Sequence, residues 1–341
     1  MKNGISVIVC CYNSVNRIEK TLGHLVHQKF NSDQFQFEII VVDNASKDNT
    51  FEFSTSFLSE YEIEFKVVKE LNPGLSNARK KGYLTAKYDF LLFCDDDNWL
   101  NENYLQTVYT ILSLNSNIGI LGGVGEAVFE GIEPNWFQKL QNNFAVGKLE
   151  QSTEEFYPLN EVYGAGFTLR REILDQIFSK NVNTVLSDRK GNNLISGGDT
   201  EWCYLAKYMH FEIWCSNSLT FKHLMPQGRM NWEYLKKLYF GFGRTNIYTH
   251  AYKYVEVHGK GPSNNLRLPL WLDTYLHKRK ELRKFASKVK GKFEEEGNED
   301  VLRYFGMKGE LSELWSLKKK YNQVFETIES NIDYLKGVNQ N

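Results

Sequence analysis

The sequence predicts an α/β fold: a Rossmann-like, mainly parallel sheet flanked by helices, followed by a mostly helical C-terminal extension. Between residues 5 and 97, short β-branched apolar runs alternate with segments of helical length, the pattern of βαβ units covered on both faces. From residue 231 onward the apolar residues follow helical spacing instead. We therefore expect a sheet-containing domain over residues 1–226 and a helical extension over residues 227–341.

The strands are predicted from short apolar runs bounded by polar residues. In the first half they cover residues 5–11, 38–42, 65–68 and 90–94, with helical segments up to residue 24 and over residues 48–58 and 75–86. Connections of helix length favour parallel neighbours. Later strands are predicted over residues 118–124, 162–169, 212–215 and 219–223, and helices over residues 133–143 and 199–209.

The composition fits a folded protein without a nucleic-acid partner. Hydrophobic residues make up 42% of the 341, enough for a substantial core. The formal net charge is −1, so the protein as a whole has no positive field that would attract nucleic acid. The start has no signal-peptide pattern, and no apolar run approaches the roughly 20 residues of a membrane span. We expect a cytoplasmic protein, free or attached to the inner face of the cytoplasmic membrane.

Three consecutive carboxylates, Asp95, Asp96 and Asp97, end the apolar run over residues 90–94. Hard oxygen ligands at the end of a buried strand suit a divalent ion and a phosphorylated ligand. A solvated acidic turn before a helix that begins near Asn101 is the alternative. Polar residues also follow the other early strands, at Tyr12-Asn13, Asp43-Asn44 and Asn72-Pro73-Gly74, and this convergence favours a ligand site.

Five segments, in this order, resemble family 2 glycosyltransferases of GT-A fold. They are Ile8-Val9-Cys10-Cys11-Tyr12-Asn13, Val41-Val42-Asp43-Asn44-Ala45-Ser46, Asn72-Pro73-Gly74-Leu75-Ser76-Asn77-Ala78-Arg79, Asp95-Asp96-Asp97 and Ser196-Gly197-Gly198-Asp199-Thr200-Glu201. The resemblance covers residues 5–226 and implies a catalytic domain that binds a nucleotide-sugar and an acceptor.

The resemblance implies that the first two strand ends hold the nucleoside of a UDP- or dTDP-sugar. Tyr12 and Asn13 would flank the base, and Asp43, with Asn44 beside it, would accept a hydrogen bond from a uracil-type imide N–H. A carboxylate only accepts hydrogen bonds, so it selects a base edge that offers a donor. Arg79 would support the nucleotide or the acidic motif; a surface arginine on a helix is the alternative.

The metal site implied by the resemblance uses the family's D-x-D pattern at Asp95 and Asp97. Asp96, together with Asp95, is expected to bind the donor nucleotide. Mn²⁺ or Mg²⁺ held there would bridge two phosphate oxygens of the donor. His223 would be a further ligand, since imidazole binds manganese. A structural histidine is the alternative at that position.

The catalytic base implied by the resemblance is Asp199, in a pattern usually written Glu-Asp where this chain has Gly198-Asp199. A carboxylate in the first turn of a helix can take the proton of an acceptor hydroxyl as it attacks C1, which inverts the anomeric configuration. Glu201 is the alternative base. A helix cap with no catalytic role is the other interpretation of Asp199.

The acceptor side is assigned to Trp136, Trp202 and the segment Gly164, Ala165 and Gly166, because sugars stack on aromatic rings and need close backbone approach. Both tryptophans could equally lie in the core. The acceptor itself is expected to be a glycan or a lipid-linked molecule in bacterial surface polysaccharide synthesis.

Two rival functions are considered beside the glycosyltransferase. A sugar nucleotidyltransferase would need a glycine-rich basic loop after the first strand, and residues 11–17 contain no glycine. A catalytically silent glycan-binding subunit of the same fold would have lost the acidic triplet or the base. Gly198, in place of the family's glutamate, is the one difference that favours a silent subunit.

The C-terminal extension offers two contact surfaces. Residues 278–293 form a basic amphipathic segment that would lie on an anionic membrane or pack against the rest of the protein. Residues 230–341 together hold 20 basic and 14 acidic residues. The aromatic-rich residues 232–254 would pack internally or form the interface of a homodimer.

Overall fold

A computed structural model describes residues 3–148, 152, 154–186, 188, 195–262 and 268–338. The chain forms two compact units that interleave along the sequence. The first comprises Met1–Glu130, Gln141–Ser179 and Trp202–Met225, and the second comprises Gly131–Leu140, Lys180–Glu201 and Pro226–Asn341. The division expected from the sequence was continuous, at residue 226, whereas residues 131–140 and 180–201 group with the C-terminal helices.

The first unit contains the sheet. Its strands within the described residues are β1 (Gly4–Cys11), β2 (Gln36–Asn44), β3 (Phe65–Glu70), β4 (Phe90–Asp95), β5 (Asn98–Leu100), β6 (Ile118–Phe129), β7 (Phe156–Pro158), β8 (Thr168–Arg170) and β9 (Glu212–Met225). Their order is β3-β2-β1-β4-β8-β6-β9-β5, with β7 paired to β9.

Helices cover both units. They are α1 (Ile18–Val26), α2 (Thr50–Leu58), α3 (Leu75–Thr85), α4 (Tyr104–Leu114), α5 (Phe137–Leu140), α6 (Arg171–Ile177), α7 (Gly198–Tyr208), α8 (Trp232–His258), α9 (Leu270–Val289), α10 (Glu299–Leu317) and α11 (Tyr321–Val338). Short 3₁₀ turns lie at Gln141–Phe144, Gln227–Arg229 and Lys318–Lys320. Within the described ranges, no helix has the length and apolarity that crossing a bilayer requires.

The four strands β3, β2, β1 and β4 pair in parallel, as the helix-length connections predict. Val7 and Val9 of β1 and Ile39 and Val41 of β2 are fully buried, which is why these strands read as continuous apolar runs. The α/β class, the mainly parallel sheet and the helical C-terminal region are confirmed.

Several predicted elements differ in extent. The strand expected over residues 162–169 is reduced to Thr168–Arg170, because the chain bends before it and Gly166 has a φ of 68°. The strands expected over residues 212–215 and 219–223 are one continuous strand, β9. The helix expected over residues 133–143 is shorter, Phe137–Leu140, and continues as a 3₁₀ turn.

The basic segment of residues 278–293 belongs to a helix that packs against its neighbour in the second unit. In α9, Phe285 and Val289 are buried, and the Arg303 guanidinium of α10 lies 5.0 Å from the Phe285 ring. Lys278 also donates to Glu310 of α10 at 2.8 Å. The helix ends at Val289. Protein therefore covers Phe285 and Val289, whereas Leu276 of the same helix is 44% exposed.

The crossing of α8 and α10 depends on glycine. A Cβ atom on Gly243 would lie 1.9 Å from the carbonyl oxygen of Gly306, and one on Gly309 would lie 2.0 Å from that of Phe240. The two backbones are thus in direct contact, a packing that a larger residue at either glycine would separate.

Replacing Gly243 by alanine should therefore destabilise the second unit, by about 1–3 kcal/mol, because backbone atoms must move apart. The matched control is Gly337→Ala in α11, where an added Cβ meets nothing within 4 Å. Denaturant unfolding of both variants measures the effect. Equal stability of the two variants would contradict this account of the helix crossing.

Candidate active site

The register of the parallel strands brings two carboxylates to one edge of the sheet. Cys11 at the end of β1 lies opposite Asp43 of β2, and Cys10 lies opposite Asp95 of β4. The carboxyl ends of all three strands therefore face the same way, which is where sheets of this class bind ligands. This is the edge predicted from the polar residues that follow each strand.

The loops after β1 and β2 are tied to one another around Asp43. Ser46 donates its backbone N–H to Asp43 Oδ1 at 3.2 Å, and Asn13 donates its own to Ser46 Oγ at 2.9 Å. Lys47 N–H donates to Asn13 Oδ1 at 2.8 Å. Asp43 Oδ2 accepts no hydrogen bond from the described residues, and Tyr12, the residue before Asn13, is 48% exposed. An acceptor and an exposed ring thus remain at this edge.

Asn44 is committed to the protein itself. Its Oδ1 accepts from the N–H of Gly74 at 2.7 Å, and its Nδ2 donates to the carbonyl oxygens of Asn72 at 2.7 Å and Glu70 at 3.3 Å. These bonds fix the turn that leads into α3. We therefore assign Asn44 to positioning this turn rather than to contact with a base.

Asp96, the middle residue of the triplet, is held by the loop after β1. Arg17 donates from Nε to Oδ1 at 2.9 Å and from Nη2 to Oδ2 at 2.8 Å, and Ser14 Oγ also contacts Oδ2. Burial raises the pKa of Asp96, and the hydrogen bond from Arg17 opposes that shift. Neither Ser14 nor Arg17 is among the site residues predicted from the sequence, which selected Tyr12 and Asn13 of this loop instead.

Arg79 of α3 is buried, with only 4% of its surface exposed. Its guanidinium lies 5.9 Å, 5.7 Å and 5.5 Å from the ring centres of Phe93, Phe167 and Trp202. Aromatic faces attract a cation placed close to them. The alternative of a surface arginine is therefore excluded.

Burial raises the pKa of Asp95 to about 6, and the neighbouring charge of Asp97 adds to the shift, whereas the charges of Arg79 and His223 oppose it. The charge of Arg79 thus favours the ionised form of Asp95, and its support of a nucleotide or of the acidic motif stays a prediction. Carboxylates crowded in this way gain stability from a bound cation.

Asp97 and His223 are brought together by the short strand β5. Asn98 of β5 lies opposite His223 of β9, and the N–H of Leu224 donates to the carbonyl oxygen of Asp97 at 2.9 Å. His223 Nε2 then lies 3.5 Å from Asp97 Oδ1. His223 Nδ1 is buried, with no hydrogen-bond partner among the described residues.

Asp97 and His223 fit a divalent cation whose remaining ligands come from a substrate. A carboxylate and an imidazole suit Mn²⁺, and a separation of 3.5 Å is compatible with two ligands of one ion. In the part of the chain that the structure describes, no three acidic, histidine or cysteine side chains converge as a complete metal site.

The proposed base lies in the second unit, in the first turn of α7. Asp199 is half-buried there, and its Oδ1 accepts from the N–H of Thr200 at 2.9 Å. Glu201 is fully buried and accepts from the N–H groups of Val185 at 2.8 Å and Leu186 at 3.0 Å.

The hydroxyl of Tyr252 in α8 donates to the same carboxylate of Glu201 at 2.7 Å. Burial raises the pKa of Glu201 to about 7, and these three hydrogen bonds oppose the shift. An acceptor hydroxyl cannot reach a carboxylate that has no exposed surface. We therefore assign Glu201 a structural role and keep Asp199 alone as the candidate base.

The residues assigned to the acceptor side are packed by protein. Trp202 is 4% exposed against the Arg79 guanidinium, and Trp136 of the second unit is 5% exposed. The segment Gly164, Ala165 and Gly166 is buried, and Gly166 accepts a hydrogen bond from the Tyr104 hydroxyl at 2.6 Å. Neither indole presents an open face on which a sugar could stack.

A family model described as "Glycosyl transferase family 2" matches residues 6–178, just over half of the chain. The chain belongs to glycosyl transferase family 2. Among its relatives, the minor teichoic acid biosynthesis protein GgaA of Bacillus subtilis is 28% identical over 173 residues, 50% of this chain and 37% of GgaA. Two other curated relatives, the glycosyltransferase GlyA of Streptococcus pneumoniae and the chondroitin synthase of Escherichia coli, are matched over 25% and 17% of their own length.

Solved structures confirm the predicted GT-A fold. S. aureus TarS 1–349 in complex with UDP-GlcNAc is similar with a TM-score of 0.53 and 16% identity, over 100% of this chain and 92% of TarS. GalNAc-T7 with UDP, GalNAc and Mn²⁺ is similar with a TM-score of 0.53 and 14% identity, over 76% of this chain and 55% of the other. At these identities the likeness shows the fold alone.

Glu201 should make the second unit less stable as pH rises toward neutrality. Its pKa of about 7 lies above the ordinary value of 4.5, so the folded state binds more protons between these values and the free energy of unfolding falls there as pH rises. The stability of the wild type relative to Glu201→Gln should fall from about pH 5 to about pH 7, by at most about 1.4 kcal/mol per pH unit.

Denaturant unfolding at a series of pH values measures this difference. Glu326→Gln, at an exposed position of α11, is the matched control and should give a difference that does not change with pH. A difference for Glu201→Gln as flat as that control would contradict the buried titration.

Proposed function

We propose that the protein is a metal-dependent, inverting glycosyltransferase. It would move a sugar from a uridine or thymidine diphosphate sugar to a hydroxyl group of a glycan or lipid-linked acceptor. The observation that carries the proposal is the strand register that fixes Asp43 and Asp95 on either side of β1. Asp97, in the turn after β4, pairs with His223 of β9 at the same edge. Membership of glycosyl transferase family 2 supports the reaction class.

The nucleoside would bind at the ends of β1 and β2. Asp43 Oδ2 offers a fixed acceptor, because Oδ1 is already held by Ser46. A uracil or thymine imide N–H is the donor that such an oxygen selects. The exposed ring of Tyr12 supplies a surface against which a base can pack.

The diphosphate would bind beside the acidic triplet, with Asp97 and His223 as the protein groups that hold Mn²⁺ or Mg²⁺. Asp95, also expected as a ligand from the family pattern, would add its negative charge beside them. When bound, the divalent ion would neutralise charge that develops on the leaving diphosphate. Asp96 would act through its hydrogen bonds, keeping the loop of Arg17 and Ser14 against the end of β4.

Proton transfer falls to Asp199. In the displacement, the acceptor oxygen forms a bond to C1 of the sugar, the bond from C1 to the diphosphate oxygen breaks, and the hydroxyl proton passes to the Asp199 carboxylate. The nucleoside diphosphate is the leaving group. Attack from the opposite face inverts the anomeric centre.

The proposed acceptor and cellular setting are supported by similarity to a relative. GgaA is named for minor teichoic acid biosynthesis, and we propose a cell-surface polymer or its lipid-linked precursor as the acceptor here. Contact of the basic α9 surface with an anionic membrane, and a homodimer through residues 232–254, both stay predictions. Trp232, Leu238 and Tyr252 in that segment are buried within the second unit.

Nucleotide binding should depend on Asp97. Thermal unfolding with UDP, dTDP and their sugars, each with and without Mn²⁺, should show a metal-dependent rise in melting temperature for the wild type, because the ligand binds only the folded protein. Asp97→Ala should lose the metal-dependent part of the rise. Asp33→Ala, at an exposed position of the same unit, should behave as the wild type.

No rise with any nucleotide would favour the silent-subunit alternative over an enzyme. A rise that Asp97→Ala preserves would contradict the metal assignment. With UTP and dTTP added to the same series, a rise with these triphosphates alone would instead support the nucleotidyltransferase.

Transfer should depend on Asp199 without any change in donor binding. Asp199→Asn should keep the nucleotide-induced rise in melting temperature and lose transfer by about 10²–10⁴-fold, the contribution typical of a general base. Asp333→Asn, at an exposed position of α11, is the matched control. Release of nucleoside diphosphate in the presence of acceptor measures both, and normal transfer by Asp199→Asn would overturn the assignment.

A further inference from the structure

The first turn of α7 is bound by a carboxylate from outside the five family motifs. The backbone N–H of Gly198 donates to Asp188 Oδ1 at 3.0 Å, and Asp188 is only 7% exposed. The first N–H groups of a helix have no partner inside the helix, so a carboxylate placed there satisfies one of them and interacts favourably with the helix dipole.

Gly198 leaves the space that this carboxylate fills. A Cβ atom on Gly198 would lie 2.5 Å from Asp188 Oδ2 and 2.8 Å from Asp188 Cγ. Any side chain at position 198 would therefore displace the carboxylate. The family pattern has glutamate where this chain has Gly198. In this chain the carboxylate of Asp188 occupies the space that the Cβ atom of such a glutamate would need.

We propose that Asp188 is a positioning residue for the base Asp199, holding the first turn of α7 with a carboxylate that only glycine at position 198 can admit. The inference rests on the proposed function. Asp199 directly follows Gly198, so the hydrogen bond to Asp188 fixes the backbone from which the base projects. Asp188 thus replaces, from a different point in the chain, an acidic side chain at position 198.

The surrounding contacts hold the same segment on both sides. Thr245 Oγ1 of α8 donates to the carbonyl oxygen of Ser196 at 2.5 Å, and a Cβ on Gly197, whose φ is 145°, would lie 2.8 Å from Thr245 Cγ2. On the other side, Glu201 accepts the N–H groups of Val185 and Leu186, shortly before Asp188. The backbone around Asp199 is therefore held by contacts at Ser196, Gly198 and Glu201.

A positioning role makes a separable kinetic prediction. Loss of the Asp188 carboxylate should lower kcat for transfer, because the base is no longer held where the acceptor proton is taken. Donor binding should be unaffected, since the residues proposed to hold the nucleotide lie in β2, β4 and β9 or directly after β1 and β4. A purely structural residue would instead change melting temperature and donor affinity together.

The test compares four variants in sugar transfer and in nucleotide-induced thermal shift. Asp188→Ala should lower kcat at least tenfold with the UDP and Mn²⁺ shift unchanged, and Gly198→Ala should lower it by a similar factor because its Cβ displaces the carboxylate. Asp188→Asn, which keeps an oxygen for the Gly198 N–H, should retain more activity than Asp188→Ala. Asp333→Ala, at an exposed position of the same unit, should match the wild type.

The double variant Asp188→Gly with Gly198→Glu returns the carboxylate to the family position. Recovery of at least tenfold in kcat over Asp188→Gly alone supports the proposal even if Asp188→Ala folds poorly. A kcat for Asp188→Ala within twofold of the wild type would overturn the proposal. So would an equal loss of kcat in Asp188→Asn and Asp188→Ala, combined with no recovery of kcat in the double variant. A wild type that transfers no sugar from any donor would instead refute the proposed function.

Discussion

The parallel pairing of β1 with β2 on one side and β4 on the other is the constraint on which the candidate site depends. The pairing places Asp43 opposite Cys11 and Asp95 opposite Cys10, so the two carboxylates flank the end of one buried strand. Val7 and Val9 of that strand are fully buried. A shift of one residue in the register would reverse every side chain in the strand, so burial of the apolar residues also fixes the carboxylates.

The acidic triplet combines an anchor with the proposed metal ligands. Asp96 is bound by the Arg17 guanidinium in a bidentate pair, and this pairing offsets the cost of burying its charge. Asp97 turns instead toward His223, which β5 and β9 bring within 3.5 Å. The protein thus neutralises one carboxylate by itself. Burial and then the charge of Asp97 raise the pKa of Asp95, and both effects favour a cation from outside.

The sequence was sufficient for the parallel strands and for the edge where polar residues gather, because both follow from apolar runs and from what ends them. It could not give pairs such as Asp188 with Gly198 or Glu201 with Tyr252, since no local pattern joins residues far apart in the chain. Residue type also leaves Trp202 undecided between core and sugar contact, whereas its burial in the fold leaves no open ring face for a sugar.

A crystal structure of the protein with UDP and Mn²⁺ tests the central claim most directly. The account predicts the uracil imide on Asp43 and the metal ion bound to Asp97 and His223, with the diphosphate completing its coordination. The nucleotide at any other surface, or an ion held without Asp97, would contradict the assignment of this sheet edge as the donor site.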